Sequence, residues 1–201
     1  PFSNKVYEVP EARIGGLTFH NLNVLEASLT LCHERQNIKN LPDYQLELRG
    51  LVGWMPFQCT NLLLDCKNQK IMIYSDLEKI EEAGYGLKTF AKTPLLLDRG
   101  LVECMMETAQ GPLRCALDTG ASFNFIHSEN IADEDLLNRE DVTILSGCKI
   151  GDQAIEDMEF FPLCIRLPIH IEAVLGMDFF MDHVVLIDFA SESIYVSRFK
   201  N

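Results

Sequence analysis

Three blocks of this chain occur twice in the same order, and that repetition limits the fold more than any other feature. Ile14, Gly15, Phe19, Leu22 and Val24 match Ile150, Gly151, Ile155, Met158 and Phe160 at a constant offset of 136. Further along, "GLVGWMPF" from Gly50 matches "AVLGMDFF" from Ala173, and "NLLLDCKNQKIMI" from Asn61 matches "VVLIDFASESIYV" from Val184. In this part Gly53 falls on Gly176, Asp65 on Asp188, and Ile71 and Ile73 on Ile194 and Val196, at an offset of 123. The offset falls by 13 because the first copy carries a longer insertion, "CHERQNIKNLPDYQLEL". Alternating apolar strands resemble one another by chance, but three blocks in one order read as a duplicated unit.

The unit is mostly strand. "DMEFFPLCIRL" and "NLNVLEASLTL" are β-rich and partly alternating. The third block is strand, turn, strand in both copies, with turns at Lys67–Gln69 and Ala190–Glu192. Helical signals are few. "SENIADEDLLN" predicts a short helix capped by Ser128, and "SDLEKIEEAGYG" a connecting helix from Ser75 to near Gly84. The second copy starts near Thr93 and is complete. The first is not, since 32 positions separate Asp118 from Ile150 and only 13 residues precede Ile14. The expected division is a partial first lobe over 1–75, a partly helical connector over 76–92 and a complete second lobe over 93–201.

A formal net charge of −13 argues against nucleic acid and anionic membrane surfaces. No apolar run reaches membrane-spanning length. The chain begins with Pro1, so a processed or truncated product is expected. Seven cysteines without a Cys-x-x-Cys read as buried free thiols, which favours a reducing compartment. The five histidines lack zinc-ligand spacing, so no metal and no other cofactor is expected.

The string with no counterpart in the first copy is "RCALDTGASFNFI", Arg114 to Ile126. It places Asp118-Thr119-Gly120 in a turn between apolar strands. Leu117 to Ser122 resembles the catalytic signature of aspartic proteases, and Val174-Leu175-Gly176-Met177-Asp178 resembles the apolar-apolar-glycine element that packs beside it in retropepsins. The resemblance is to the retropepsin-like family in its two-lobed cellular or bacterial form, and its motifs are clear from Leu95 to Val196. It implies a mainly β fold of two acid-protease β-barrel lobes, the first incomplete at its N-terminus. It implies an aspartic endopeptidase with Asp118 catalytic and Thr119, Gly120, Ser122 and Gly176 in support. Gly120 lets the loop turn tightly. Thr119 braces the partner loop, and Ser122 hydrogen-bonds the carboxylate. Leu117 and Ala121 keep the site dry.

In that family two aspartates share one proton, because like charges at close range cannot both ionise. One carboxylate activates water, the other protonates the peptide carbonyl, and the substrate lies extended like an added strand. This sequence holds one such aspartate, so the chain alone is expected to be inactive. The second would come from a missing N-terminal segment or from a second chain in a homodimer. The alternative is a catalytically inactive binding or dimerisation module on the same fold. The hairpin around "VTILSGCKIGDQ" is a candidate flap over a peptide or protein substrate. Asp65 and Asp188 read as strand-end markers, Cys115 as a packed thiol, Trp54 as core, and Asp178 has Met55 as its counterpart.

Overall fold

The structure, a computed structural model, describes residues 5–25, 52–98, 100–127, 142–155, 157–163 and 170–199. The expected helix from Ser128 and the long insertion of the first copy lie outside these. Contacts divide the chain into Pro1–Pro56 and Phe57–Asn201. In the first unit, β1 (Val6–Ile14) and β2 (Leu17–Leu25) form an antiparallel hairpin, with Ile14 opposite Leu17. Gly15 takes φ +58° at its turn. Trp54, expected in the core, is half-buried.

The second unit begins with β3 (Asn61–Asp65) and β4 (Lys70–Tyr74), followed by α1 (Glu78–Glu82). The strands β5 (Ala91–Pro94), β6 (Leu96–Asp98), β7 (Leu101–Thr108), β8 (Gly111–Leu117) and β9 (Phe125–His127) come next. Then follow β10 (Thr143–Leu145), β11 (Lys149–Ile150), β12 (Gln153–Ala154), β13 (Met158–Leu163) and β14 (Ala173–Leu175). The last elements are α2 (Met177–Asp182), β15 (His183–Asp188) and β16 (Ser193–Arg198). Nine strands make one sheet, curled into a half-barrel, in the order β10-β13-β9-β14-β8-β7-β11-β12 with β6 beside β7. The chain is mainly β, as the alternating sequence predicts. At the centre of this sheet β14 runs parallel to β8 and antiparallel to β9. Its triplet Ala173-Val174-Leu175 is buried throughout, which suits a strand covered on both faces. Cys104 on β7 stands opposite Cys115 on β8, and both thiols are fully buried. Burial pushes Cys104 up to about 12 and Cys115 well above the ordinary thiol range. Cys148 is also buried, whereas Cys59, one of the seven cysteines expected together as buried thiols, is exposed beside the turn that closes at Thr60.

The other sheet has the order β4-β3-β15-β16-β5. It joins the matched third blocks through β3 and β15, which are antiparallel. Leu63 stands opposite Leu186, its own counterpart at offset 123. Leu62 stands opposite Ile187, the counterpart of Leu64, and Leu64 opposite Val185, the counterpart of Leu62. The pairing is therefore symmetric about Leu63 and Leu186. One face of this sheet packs Leu63, Val184 and Leu186 under Ile80 and Leu87 of the segment linking β4 to β5. Complete burial of a side chain such as Ile80 contributes about 1.5–3 kcal/mol.

Two helices depart from expectation. The connector helix α1 starts at Glu78 rather than Ser75, because the Asp76 carboxylate accepts the Lys79 N–H and Ser75 donates to Asp76. Helix α2 was not anticipated. It starts directly after Gly176 and buries Phe179 and Phe180, six residues being too few for a legible helical period.

Candidate active site

Asp118 follows β8 directly. Its N–H donates to Leu175 O at 3.0 Å, which extends the parallel β8–β14 pairing by one bond. Its carboxylate Oδ1 accepts the Gly120 N–H at 2.8 Å, and its carbonyl accepts the Ala121 N–H at 3.1 Å. The loop is thus a tight turn closed by the aspartate at both its backbone and its side chain. Asp118, Thr119, Gly120 and Ser122 are exposed, and Leu117 and Ala121 are half-buried. Ser122 is not the group that bonds the carboxylate. Gly120 is not in left-handed backbone either. What glycine supplies there is room, since a Cβ would lie 3.0 Å from Asp118 Oδ1.

The loop rests on Gly176. Met177 N–H donates to Ala121 O at 2.8 Å. A Cβ on Gly176 would stand 2.1 Å from Phe123 O and 2.8 Å from Ala121 O. No side chain fits between the two backbones, so this approach, and not a turn, is what requires a glycine. The structure therefore brings Asp118, Gly120 and Gly176 together on one backbone scaffold, while Thr119 and Ser122 face outward.

Asn124 ties that scaffold to its surroundings, and sequence reasoning missed it. Its Oδ1 accepts the Gly176 N–H at 2.9 Å, and its Nδ2 donates to Glu159 O at 3.2 Å. Its carbonyl accepts the Phe161 N–H at 2.9 Å, and its own N–H donates to the Asp178 carboxylate. A buried amide with all its groups bonded fixes β9, β13 and the Gly176 turn together. The signal was an asparagine inside the apolar run Phe123-Asn124-Phe125-Ile126. Burial pushes the Asp178 carboxyl up, and the neighbouring charges of Glu159 and Asp182 add to this.

A second unforeseen group lies behind the loop. Glu103 on β7 is fully buried; its Oε2 accepts from Arg114 Nε at 2.6 Å and its Oε1 lies 3.0 Å from His170 Nε2. Arg114 is four residues before Asp118 on β8. Its N–H donates to Glu172 Oε2 at 2.8 Å, and its carbonyl accepts the Glu172 N–H at 2.9 Å. A buried carboxylate is tolerated only when paired in this way. The signal was Glu103 within the apolar run "LVECMM".

Asp65 and Asp188 close their hairpin turns. Asp65 Oδ1 accepts the Asn68 N–H at 3.2 Å, and Asp188 Oδ1 accepts the Ser191 N–H at 3.0 Å. Tyr85 adds a 2.6 Å bond to Asp65. Burial alone would push the Asp65 carboxyl up; the bonds from Tyr85 and Asn68 outweigh it and hold the group below the usual range. Among the described residues no group of three or more His, Cys, Asp or Glu is placed to hold a metal ion. Among them, too, no helix is long and apolar enough to cross a membrane.

No protein-family model and no curated protein sequence matches the chain. Among solved structures it is similar to a retropepsin-like aspartic protease from Rickettsia conorii, at 16% identity over 55% of this chain and 94% of that one, with a TM-score of 0.41. It is similar to an aspartic proteinase from Irpex lacteus, at 10% identity over 69% of this chain and 56% of that one, with a TM-score of 0.46. It is also similar to basic 7S globulin from soybean, at 12% identity over 90% of this chain and 63% of that one, with a TM-score of 0.51. The chain thus spans 56% and 63% of the lengths of the last two. At these identities the likeness concerns the fold alone.

Proposed function

We propose that this chain is part of an aspartic endopeptidase in which Asp118 is one of two catalytic aspartates. The observation that carries the reading is the placement of the Asp118 carboxylate at the solvent side of a loop whose backbone is locked from behind by Gly176. That leaves the carboxylate held by one backbone N–H and open to water and substrate. The second aspartate is supplied by an N-terminal segment of a longer product or by a second chain. Together the pair shares one proton, so that one group activates water while the other protonates the scissile carbonyl. The substrate is an extended peptide. The symmetric β3–β15 pairing and the matched turns support descent of the two halves from one duplicated unit, with lobes over 1–75 and 93–201 joined by 76–92. Gly120 and Gly176 are the supporting residues of this reading; Thr119 and Ser122 face the region where a partner loop would stand.

The test is peptide cleavage by the assembled full-length product and its Asp118→Asn variant. Asparagine keeps the size and the Gly120 bond but neither shares the proton nor acts as base. We expect cleavage to be lost, by at least about 10⁴-fold, with the melting temperature unchanged. Undiminished cleavage by folded Asp118→Asn would overturn the assignment of catalysis to Asp118, and no cleavage by the assembled parent would favour a non-catalytic module on the same fold.

A further inference from the structure

A cleft of about 510 Å³, within the range of small-ligand sites, opens in the second unit beside β13 and α2. Asp157, Glu159, Asp178 and Asp182 line it, and among the described residues no lysine or arginine does. Nor does any of the four carboxylates form an ion pair among those residues. Like charges left together disfavour one another: burial pushes the Asp178 carboxyl up, and the charges of Glu159 and Asp182 add to this. His183 also borders the cleft, although it is only 3% exposed. Its Nδ1 lies 2.9 Å from Phe179 O, and a carbonyl only accepts, so Nδ1 carries the proton. Burial holds the His183 pKa below its ordinary value, and the charge of Arg198 on β16 adds to this, so the ring is neutral at pH 7. Nε2 is then an acceptor, and among the described residues it is buried without a partner. A buried acceptor without a donor costs stability. Asn124, the remaining polar residue at the cleft, commits its side-chain amide to Gly176 and Glu159. The cleft thus presents acceptors and negative charge, and its donors are spent.

What fits such a cleft is a cation with several donors. A bare metal ion is not the match, because among the described residues no three His, Cys, Asp or Glu side chains are placed to hold one. Part of the wall is aromatic: the Phe123 and Phe161 ring centroids stand 4.9 Å apart, and Phe123 is 43% exposed. A guanidinium is planar, carries five N–H donors and no acceptor, and stacks on aromatic faces, whereas an ammonium concentrates three donors at a point. We propose that this cleft binds an arginine side chain of a partner protein. Its guanidinium sits among the carboxylates of Glu159, Asp178 and Asp182 and against the Phe123 ring, with one N–H directed at His183 Nε2. The net charge of −13 steers a basic partner toward the chain, and the cleft gives that attraction a specific seat. None of this depends on Asp118 being catalytic.

The probe is the blocked tripeptide acetyl-Gly-Arg-Gly-amide, titrated at pH 7 into the nitrogen-labelled 201-residue chain and followed by nuclear magnetic resonance. We expect saturable shifts of the Glu159, Asp178 and Asp182 amides, and a shift of His183 Nε2 as its lone pair gains a donor. The citrulline tripeptide keeps the shape without the charge and should bind at least about tenfold more weakly, and the lysine tripeptide at least about threefold more weakly. Glu159→Gln with Asp182→Asn changes two exposed side chains and leaves the Asn124 bonds in place; it should weaken binding about tenfold in a chain whose other amide resonances are unmoved. Shifts that do not saturate below about 20 mM peptide overturn the proposal. So does equal binding of the citrulline tripeptide, and equal binding of the lysine tripeptide overturns the choice of a guanidinium. Shifts confined to Asp118–Ala121 place the peptide at the candidate active site and also overturn it. Because no cleavage is read, this result and that of the protease test are independent.

Discussion

Gln69 and Glu192 stand 123 residues apart, and both adopt left-handed backbone, at φ +55° and +49°. Each follows a residue whose backbone N–H bonds back to an aspartate at the strand end, Asn68 to Asp65 and Ser191 to Asp188. The two turns are alike down to these bonds, although their sequences Cys66-Lys67-Asn68 and Phe189-Ala190-Ser191 share no residue. The flanks are not alike. Ile194 is covered and Ile71 is not; Gly176 is crowded by the Asp118 loop, whereas a Cβ on Gly53 would meet nothing within 4 Å among the described residues. Turn geometry is made from four or five adjacent residues and repeats wherever their chemistry repeats. Burial depends on what else the chain brings to the site, and so it differs between copies.

The largest break in the comparison is expected at the isoleucines. Ile194→Ala empties a closed core position and should cost about 2–5 kcal/mol in urea unfolding. Ile71→Ala in the same chain should change stability by less than about 0.5 kcal/mol. Equal losses would mean that Ile71 is covered in solution. The glycines come next. Gly176→Ala drives a Cβ into the Phe123 carbonyl and should cost about 1–3 kcal/mol, with shifted amide resonances at Ala121 and Met177. Gly53→Ala should be close to neutral.

The smallest effect separates the two aspartates. Tyr85→Phe removes a bond that only Asp65 has and should cost about 1 kcal/mol at pH 7. Because the folded carboxyl lies below its unfolded value, the stability it contributes is present above about pH 4 and lost as pH falls through the folded pKa. The variant and the parent should therefore converge in urea melts at acid pH. A constant difference across that window would mean that Tyr85 acts by packing alone.

The strands, hairpin turns and Asp-Thr-Gly loop were legible because each is specified by neighbouring residues. Ile14-Gly15 and Ile150-Gly151 both lead into hairpin turns, with Gly15 and Gly151 at φ +58° and +55°. The proximity of Asp118 to Gly176 was legible only through the family resemblance, since 58 residues separate them. Asn124 and Glu103 went unread for the same reason. Their partners, Gly176 and His170, lie 52 and 67 residues away. A polar residue in an apolar run announces that it needs a partner but not which one. Ser122 was assigned to the carboxylate by residue type, yet the nearer donor was the backbone N–H of Gly120, which no side-chain pattern reveals.

The opposed thiols of Cys104 and Cys115 give the half-barrel a built-in stopwatch. A thiol reacts as thiolate, and burial holds both far from that form at neutral pH while also denying access to reagents. Cys59, on the outside, is labelled by an alkylating agent in the folded chain and supplies the zero of time. The delay before Cys104 and Cys115 acquire label is then the waiting time for β7 and β8 to part. Since β8 carries Asp118 at its end, the same clock measures how long the candidate catalytic loop keeps its foundation.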